Sequence, residues 1–428
     1  MDQKKGLKRK KNSVNDKEIQ LRNAYLWGCN VDGQLGIENG SPNSQIEVTE
    51  LTQESEKQIE NPFPILISLS TKETITDISL GSRHSICLTQ NGHVYSWGWG
   101  ACGQLGHGDS SSRTTPQIIS ALSGIHVKKI SAGGIHSGCI SAVYEVYTWG
   151  KSSYGQLGLG KSIMDYGISP TPQKIMDNEK PFLAQQLSCG GMHCAAVNDG
   201  NVYCWGRGDS GQLGIGDSWL HEAYSGPDVD KIETELGVPS PVLVGGLTDV
   251  KQVSTGAFHT AVVRNDGELF TWGKEDYGML GVPTQDLLRD GVWRPHHVPR
   301  PFKSKGSVFT QVACGGWHTV AVCNNGGVWV CGRGEYGRLG IDSETSVKTF
   351  TKIDHFQEKV KQVSCGGTHT LFLTNEGRVY SCGRGDYGRL GLENMETQVS
   401  PTLIEFFQTE GVDITHIVCG GSHSAALC

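Results

Sequence analysis

From Tyr25 to the last residue the chain alternates short apolar runs with polar, Gly-containing turns, and no segment sustains the 3.6-residue apolar period of a helix. In one stretch, residues 85–88 and 93–96 are apolar runs joined by Asn91-Gly92, the strongest short signal for a hairpin. Asp199-Gly200, Asp266-Gly267 and Glu376-Gly377 repeat that turn. Another apolar run precedes each hairpin, as at residues 127–131 and 360–364, and a Pro-led run stands before it, as at residues 116–119 and 401–404. The pattern predicts units of about four short strands.

Two markers recur in register with these units. The first is a ten-residue cassette, aromatic-or-Cys, Gly, four variable residues, Gly, then three residues ending in Leu-Gly. It occupies residues 27–36, 97–106, 149–158, 205–214, 272–281, 331–340 and 382–391. The second is Gly-x-x-His, ending at His84, His136, His193, His259, His318, His369 and His423. A self-similar period near 50 residues marks a propeller or solenoid, and four-stranded units favour the propeller. The first cassette has no hairpin partner before it, and the chain stops five residues after His423. Pairing residues 25–28 with residues 424–428 therefore completes the last unit and removes the open edges. The expected fold is an all-β, seven-bladed propeller of four-stranded antiparallel blades over residues 23–428, its ring closed by the N-terminal strand in the C-terminal blade.

Composition adds a division between body and tail. Gly makes up 58 of the 428 residues, about twice ordinary usage, in keeping with many tight turns. Lys4, Lys5, Lys8, Arg9, Lys10 and Lys11 give residues 1–11 a local charge of +5, leaving −12 on the other 417 residues. An acidic body does not attract phosphate backbones by its overall field, so a nucleic-acid or localisation role falls to the tail. Residues 1–22 are expected to be disordered. No apolar run approaches 18 residues and the first 25 lack a signal-peptide stretch, which predicts an intracellular protein, nuclear or cytoplasmic, with no membrane partner. Cys189, Cys314, Cys365 and Cys419 fall four residues before a repeat His, where other copies carry Leu80, Ala132 or Thr255, and read as reduced, buried filler.

Catalytic signatures dissolve when the repeats are aligned. Residues 98–103 fit the dinucleotide fingerprint GxGxxG, but the same spacing recurs in other cassettes and marks architecture. Ser210 in Gly-Asp-Ser-Gly aligns with Tyr336 and Tyr387, which no nucleophile would. Seven histidines at equivalent points of seven blades stand on a ring, too far apart to share an ion, and each is expected to bridge backbone groups between strands. Cys189, His193 and Cys194 form the nearest approach to a metal cluster, a weak one. No metal, cofactor, small-molecule substrate or covalent catalysis is therefore expected. Trp27, Trp97, Trp149, Trp205 and Trp272 read as blade packing, with Cys331 and Cys382 as smaller substitutes. Trp99, Trp219, Trp293, Trp317 and Trp329 lie elsewhere and are candidate surface anchors. Extra length falls in loops at residues 38–61, 217–237 and 283–305, the last containing Trp293, His296 and His297; such loops are either plain surface insertions or the place where a partner binds.

Gly-Gly-x-His-Thr, then Gly-x-Val-Tyr-x-Trp-Gly, then Gly-Gln-Leu-Gly resembles the repeat of the regulator of chromosome condensation family across about 400 residues. The resemblance implies a seven-bladed propeller. It also implies a guanine-nucleotide exchange factor for a small GTPase, Ran in the founding member, acting by partner binding that displaces nucleotide. By that resemblance His318 belongs to the exchange face, and the tail of Lys4 to Lys11 resembles a basic tail that docks on chromatin. A non-catalytic scaffold, holding a protein or chromatin through its inter-blade loops, is the alternative. Family members that sense UV-B light use clustered Trp in Gly-Trp-Arg-His-Thr stretches and a C-terminal extension. This sequence has one Trp before a repeat His, Trp317, no Arg after it, and nothing past Cys428.

Overall fold

The computed structural model describes residues 23–37, 60–161, 167–216, 236–282, 288–289, 292–293, 296–302 and 306–428. The basic tail, Trp219 and most of the three long loops lie outside the described residues. Within them stand seven four-stranded antiparallel sheets. We number the blades 1 to 6 by their first strands, Ile75–Leu80, Val127–Ala132, Gln186–Cys189, Val250–Thr255, Phe309–Cys314 and Val360–Cys365. Blade 7 combines His416–Cys419 and His423–Leu427 from the end of the chain with Ala24–Cys29 and Glu60–Ile67 from its beginning. Ala24 stands opposite Leu427 and Gly28 opposite His423, so the ring closes as the unpaired ends of the sequence predict. First strands of successive blades touch one another around the full circle, which places them at the axis.

Period-2 strands in a propeller bury both faces against neighbouring blades, and the core is accordingly divided into clusters between blades. The largest of these joins Ala24, Leu26 and Leu427 of blade 7 to Ile78, Tyr95 and Trp97 of blade 1. Trp97, Trp149, Trp205, Trp272 and Trp27 are fully buried, each at the junction with the preceding blade. Cys331 and Cys382 take that position in blades 5 and 6, and Phe350 fills part of the space beside Cys331. Close approach at these junctions explains the last Gly of the cassette. Gly106 has φ +81°, and a Cβ there would lie 2.9 Å from Trp149 Nε1.

The histidines stitch the same junctions together. His84 Nε2 lies 2.8 Å from Ser137 Oγ of the next blade, and His193, His259, His318 and His369 meet Thr260, Thr319, Thr370 and Ser424 at 2.8–2.9 Å. His423 completes the circle on Ser85 at 3.1 Å. Each of these hydroxyls donates its single proton to the carbonyl of the eighth cassette residue, as Ser137 does to Gln104 O at 3.0 Å and Thr370 to Arg338 O at 2.7 Å. The hydroxyl must then accept from the imidazole, which fixes the proton on Nε2. The cassette indole donates to the same carbonyl, as Trp149 Nε1 does to Gln104 O at 2.9 Å. The expectation that each imidazole bridges backbone groups is corrected here: the partner is a hydroxyl one blade away, and the backbone is reached through it.

Candidate functional site: a cation–aromatic face

The third cassette residue and the residue before each repeat His are joined through the backbone at one end of the ring. Arg207 N donates to Met192 O, Lys274 N to Phe258 O and Arg333 N to Trp317 O, at 2.9–3.0 Å. Side chains from these positions, and from the sixth cassette residue, are thereby gathered on one face. In blades 2 to 6 those positions hold Tyr154, Arg207, Lys274, Tyr277, Arg333, Tyr336, Arg384 and Tyr387, with Phe258 and Trp317 before the histidines.

They stack into a ladder that crosses blade boundaries. The Arg207 guanidinium lies over Tyr154 at 5.0 Å and Phe258 at 5.9 Å, and Lys274 Nζ over Phe258 at 5.3 Å and Trp317 at 5.1 Å. Trp317 meets Tyr277 edge-on at 5.9 Å, and Arg333 covers Tyr277 at 4.7 Å. Arg384 covers Tyr336 at 4.8 Å. Each cation is also held by an acid two residues on. Arg207 pairs with Asp209 at 2.6 Å, Lys274 with Asp276 at 2.9 Å, Arg333 with Glu335 and Arg384 with Asp386. Tyr277, Tyr336 and Tyr387 hold φ near +62°, an uncommon conformation for a large side chain, and it sets their rings at the face. Beneath, Arg338 is almost fully buried, donating from Nε to Glu335 O at 2.8 Å, and burial together with Arg333 pulls its guanidinium down to about 10. Glu275, half-buried beside the ladder, is pushed up to about 8 by burial and by Asp276.

Half-buried aromatic planes crossed by Arg and Lys, with paired acids, have the composition of a protein-docking surface. Residues 169–428 match a family model described as the RCC1-like domain, and residues 23–88 and 91–140 match the repeat model, regulator of chromosome condensation (RCC1) repeat. The chain belongs to the RCC1 family. Among RCC1 relatives it is similar to the ultraviolet-B receptor UVR8 of Arabidopsis thaliana, 33% identical over 395 residues covering 91% of this chain and 79% of that protein. Human regulator of chromosome condensation is 31% identical over 361 residues, covering 80% of this chain and 79% of the relative. Prp20p of Saccharomyces cerevisiae superposes with a TM-score of 0.77 at 24% identity over 96% of this chain and 92% of that one, showing the shared fold.

The face does not gather every residue the sequence nominated. His318 is fully buried in the inter-blade stitch, 2.9 Å from Thr370, and burial holds its imidazole well below the usual range. The correction is that the imidazole points inward while its neighbour Trp317 carries the surface. Trp99 is half-buried under Arg83 at 4.9 Å, and Arg83 forms a two-pronged pair with Asp32 at 2.6 and 2.7 Å. Trp329 is no anchor: it packs with Phe302 and Phe309 in the cluster between blades 4 and 5. Val292–Trp293 and His296–Phe302 are strands, with His296 opposite Gly273, but the side chains of Trp293, His296 and His297 lie outside the described residues. Lys4, Lys5, Lys8, Arg9, Lys10 and Lys11 also lie outside them. Missed from the sequence was the ladder itself. Its signal lay in the aligned cassettes, whose third position turns to Arg or Lys and sixth to Tyr in most of blades 2 to 6.

Proposed function

We propose that this chain is a regulatory protein-binding propeller that docks its partner on the ladder from Tyr154 to Tyr387, and most specifically a guanine-nucleotide exchange factor for a Ran-type small GTPase. The observation that carries the reading is the cation–aromatic stacking centred on Lys274, Trp317 and Arg333, which prepays the ordering of long side chains before a partner arrives. Support for the GTPase comes from the relatives: Prp20p is described with its binding properties to Gsp1p and histones. Exchange needs no covalent step. A docked propeller competes with the nucleotide for the GTPase, and the rigid ring supplies the leverage. The photoreceptor reading draws little from this face, because of Arg83, Ile135, Met192, Phe258, Trp317, Thr368 and Ser422 before the repeat histidines only one is Trp.

The test measures nucleotide release from a panel of small GTPases with wild type, Trp317→Ala and Lys274→Ala. Acceleration by wild type and its loss in both variants is the expected result. Binding without acceleration leaves the scaffold reading, and no binding to any GTPase sinks the exchange reading. Residues 1–11 are proposed as a chromatin or localisation tail, checked by whether deleting them lowers nuclear content.

A further inference from the structure

One inter-blade stitch departs from the other six. The residue after each repeat His is Ser85, Ser137, Thr260, Thr319, Thr370 or Ser424, except in blade 3, where it is Cys194. Blade 3 is also the one blade that carries Cys both there and four residues before the His, at Cys189. Cys189 and Cys194 stand directly opposite one another on paired strands, and their sulfurs are 3.7 Å apart. His136 reaches across from blade 2 and places Nε2 3.0 Å from Cys194 Sγ. All three ligand atoms lie within 4.8 Å of one another, and all three residues are buried.

We propose that His136 Nε2, Cys189 Sγ and Cys194 Sγ form a structural metal site for a thiophilic divalent cation, zinc, that staples blade 2 to blade 3. Two thiolates at about 2.3 Å from a tetrahedral zinc stand about 3.8 Å apart, close to the observed separation. The imidazole needs about 3.6 Å from each sulfur, so loading opens the His136–Cys194 contact by about half an ångström. Charge selects the ion. Two thiolates and a neutral imidazole cancel a divalent cation, which a dry interior requires, and soft sulfur disfavours calcium and magnesium. Loading releases one proton from each thiol to solvent and moves the His136 proton from Nε2 to Nδ1, the reverse of the tautomer in the six hydroxyl stitches. Gln156 O, 3.3 Å from Cys194 Sγ, lies beside the site.

The test uses the full chain, purified reduced and without chelator, beside a Cys189→Ala/Cys194→Thr variant. That variant restores residues the ring already uses at these positions, Ala132 and Thr260, and so is expected to fold. Metal analysis after zinc incubation should give about one ion per chain in wild type and fewer than about one in ten in the variant. Cobalt(II) substitution should give thiolate-to-cobalt charge-transfer absorption in wild type alone, and a tight chelator should lower its melting temperature but not the variant's. Equal metal content in the two proteins, no charge-transfer band, or a Cys189–Cys194 disulfide found by peptide mapping under non-reducing conditions would overturn the site. The outcome is independent of the docking face, since none of the three residues reaches it.

Discussion

The junctions between blades and the face above them are built from the same seven cassettes, yet one repeats itself and the other does not. Inside, six hydroxyl stitches and five buried indoles use the same atoms at nearly the same distances. On the face, the third cassette residue runs from Cys29 and Trp99 through Lys151 to Arg207, Lys274, Arg333 and Arg384. A buried position answers to its neighbours' shape and hydrogen bonds in every blade, whereas a face position is released from that packing constraint. Divergence within a uniform ring therefore points to the side of blades 3 to 6.

Acid offers the largest test of the uniform interior. Burial lowers His84, His193 and His423 to about 3 and His259 to about 4, and drives His318 and His369 well below the usual range. Folded pKa values below unfolded ones mean that the unfolded chain binds more protons, so stability is full above pH 6.5 and falls as pH drops toward 3. At pH 5 each such His costs about 2 kcal/mol, and six together cost on the order of 10, comparable to the whole stability of a domain. Denaturant titrations at stepped pH should show the fold failing near pH 5. Constant stability between pH 7 and 5 would break the account of the stitches.

Trp149→Ala should cost about 3–5 kcal/mol in chemical denaturation, because the indole is fully buried and its N–H shares the Gln104 carbonyl. Trp317→Ala, on the face, should cost much less; an equal loss would mean that face and junction are not energetically separate. At the axis, burial raises Asp77 to about 6 despite the Ile78 N–H and Lys129. Its raised folded pKa favours the protonated form, so the stability it permits is full below pH 3.8 and lost as pH rises through about 6. Asp77→Asn should then stabilise the protein by about 3 kcal/mol at pH 8 and change little at pH 4. The smallest effect is expected from Arg333→Ala, about 0.5 kcal/mol in stability, since its pair with Glu335 and its stack on Tyr277 are partly solvated. Partner binding should nevertheless fall with it.

Blade count, hairpins and ring closure were legible along the chain. Strand periodicity, Asn-Gly turns and the unpaired ends at residues 25–28 and 424–428 are local signals that need no knowledge of neighbours in space. The repeats also marked Trp317 as lying outside the packing positions. Which side of a residue meets what came from the packing of blade on blade. That packing turned His318 inward, drew Trp329 into the core, and exchanged His193 for His136 beside Cys189 and Cys194. The reason is the same in each case. His136 and Cys194 are 58 residues apart, and a contact at that range is set by how one blade rotates against the next, which no period along the chain records.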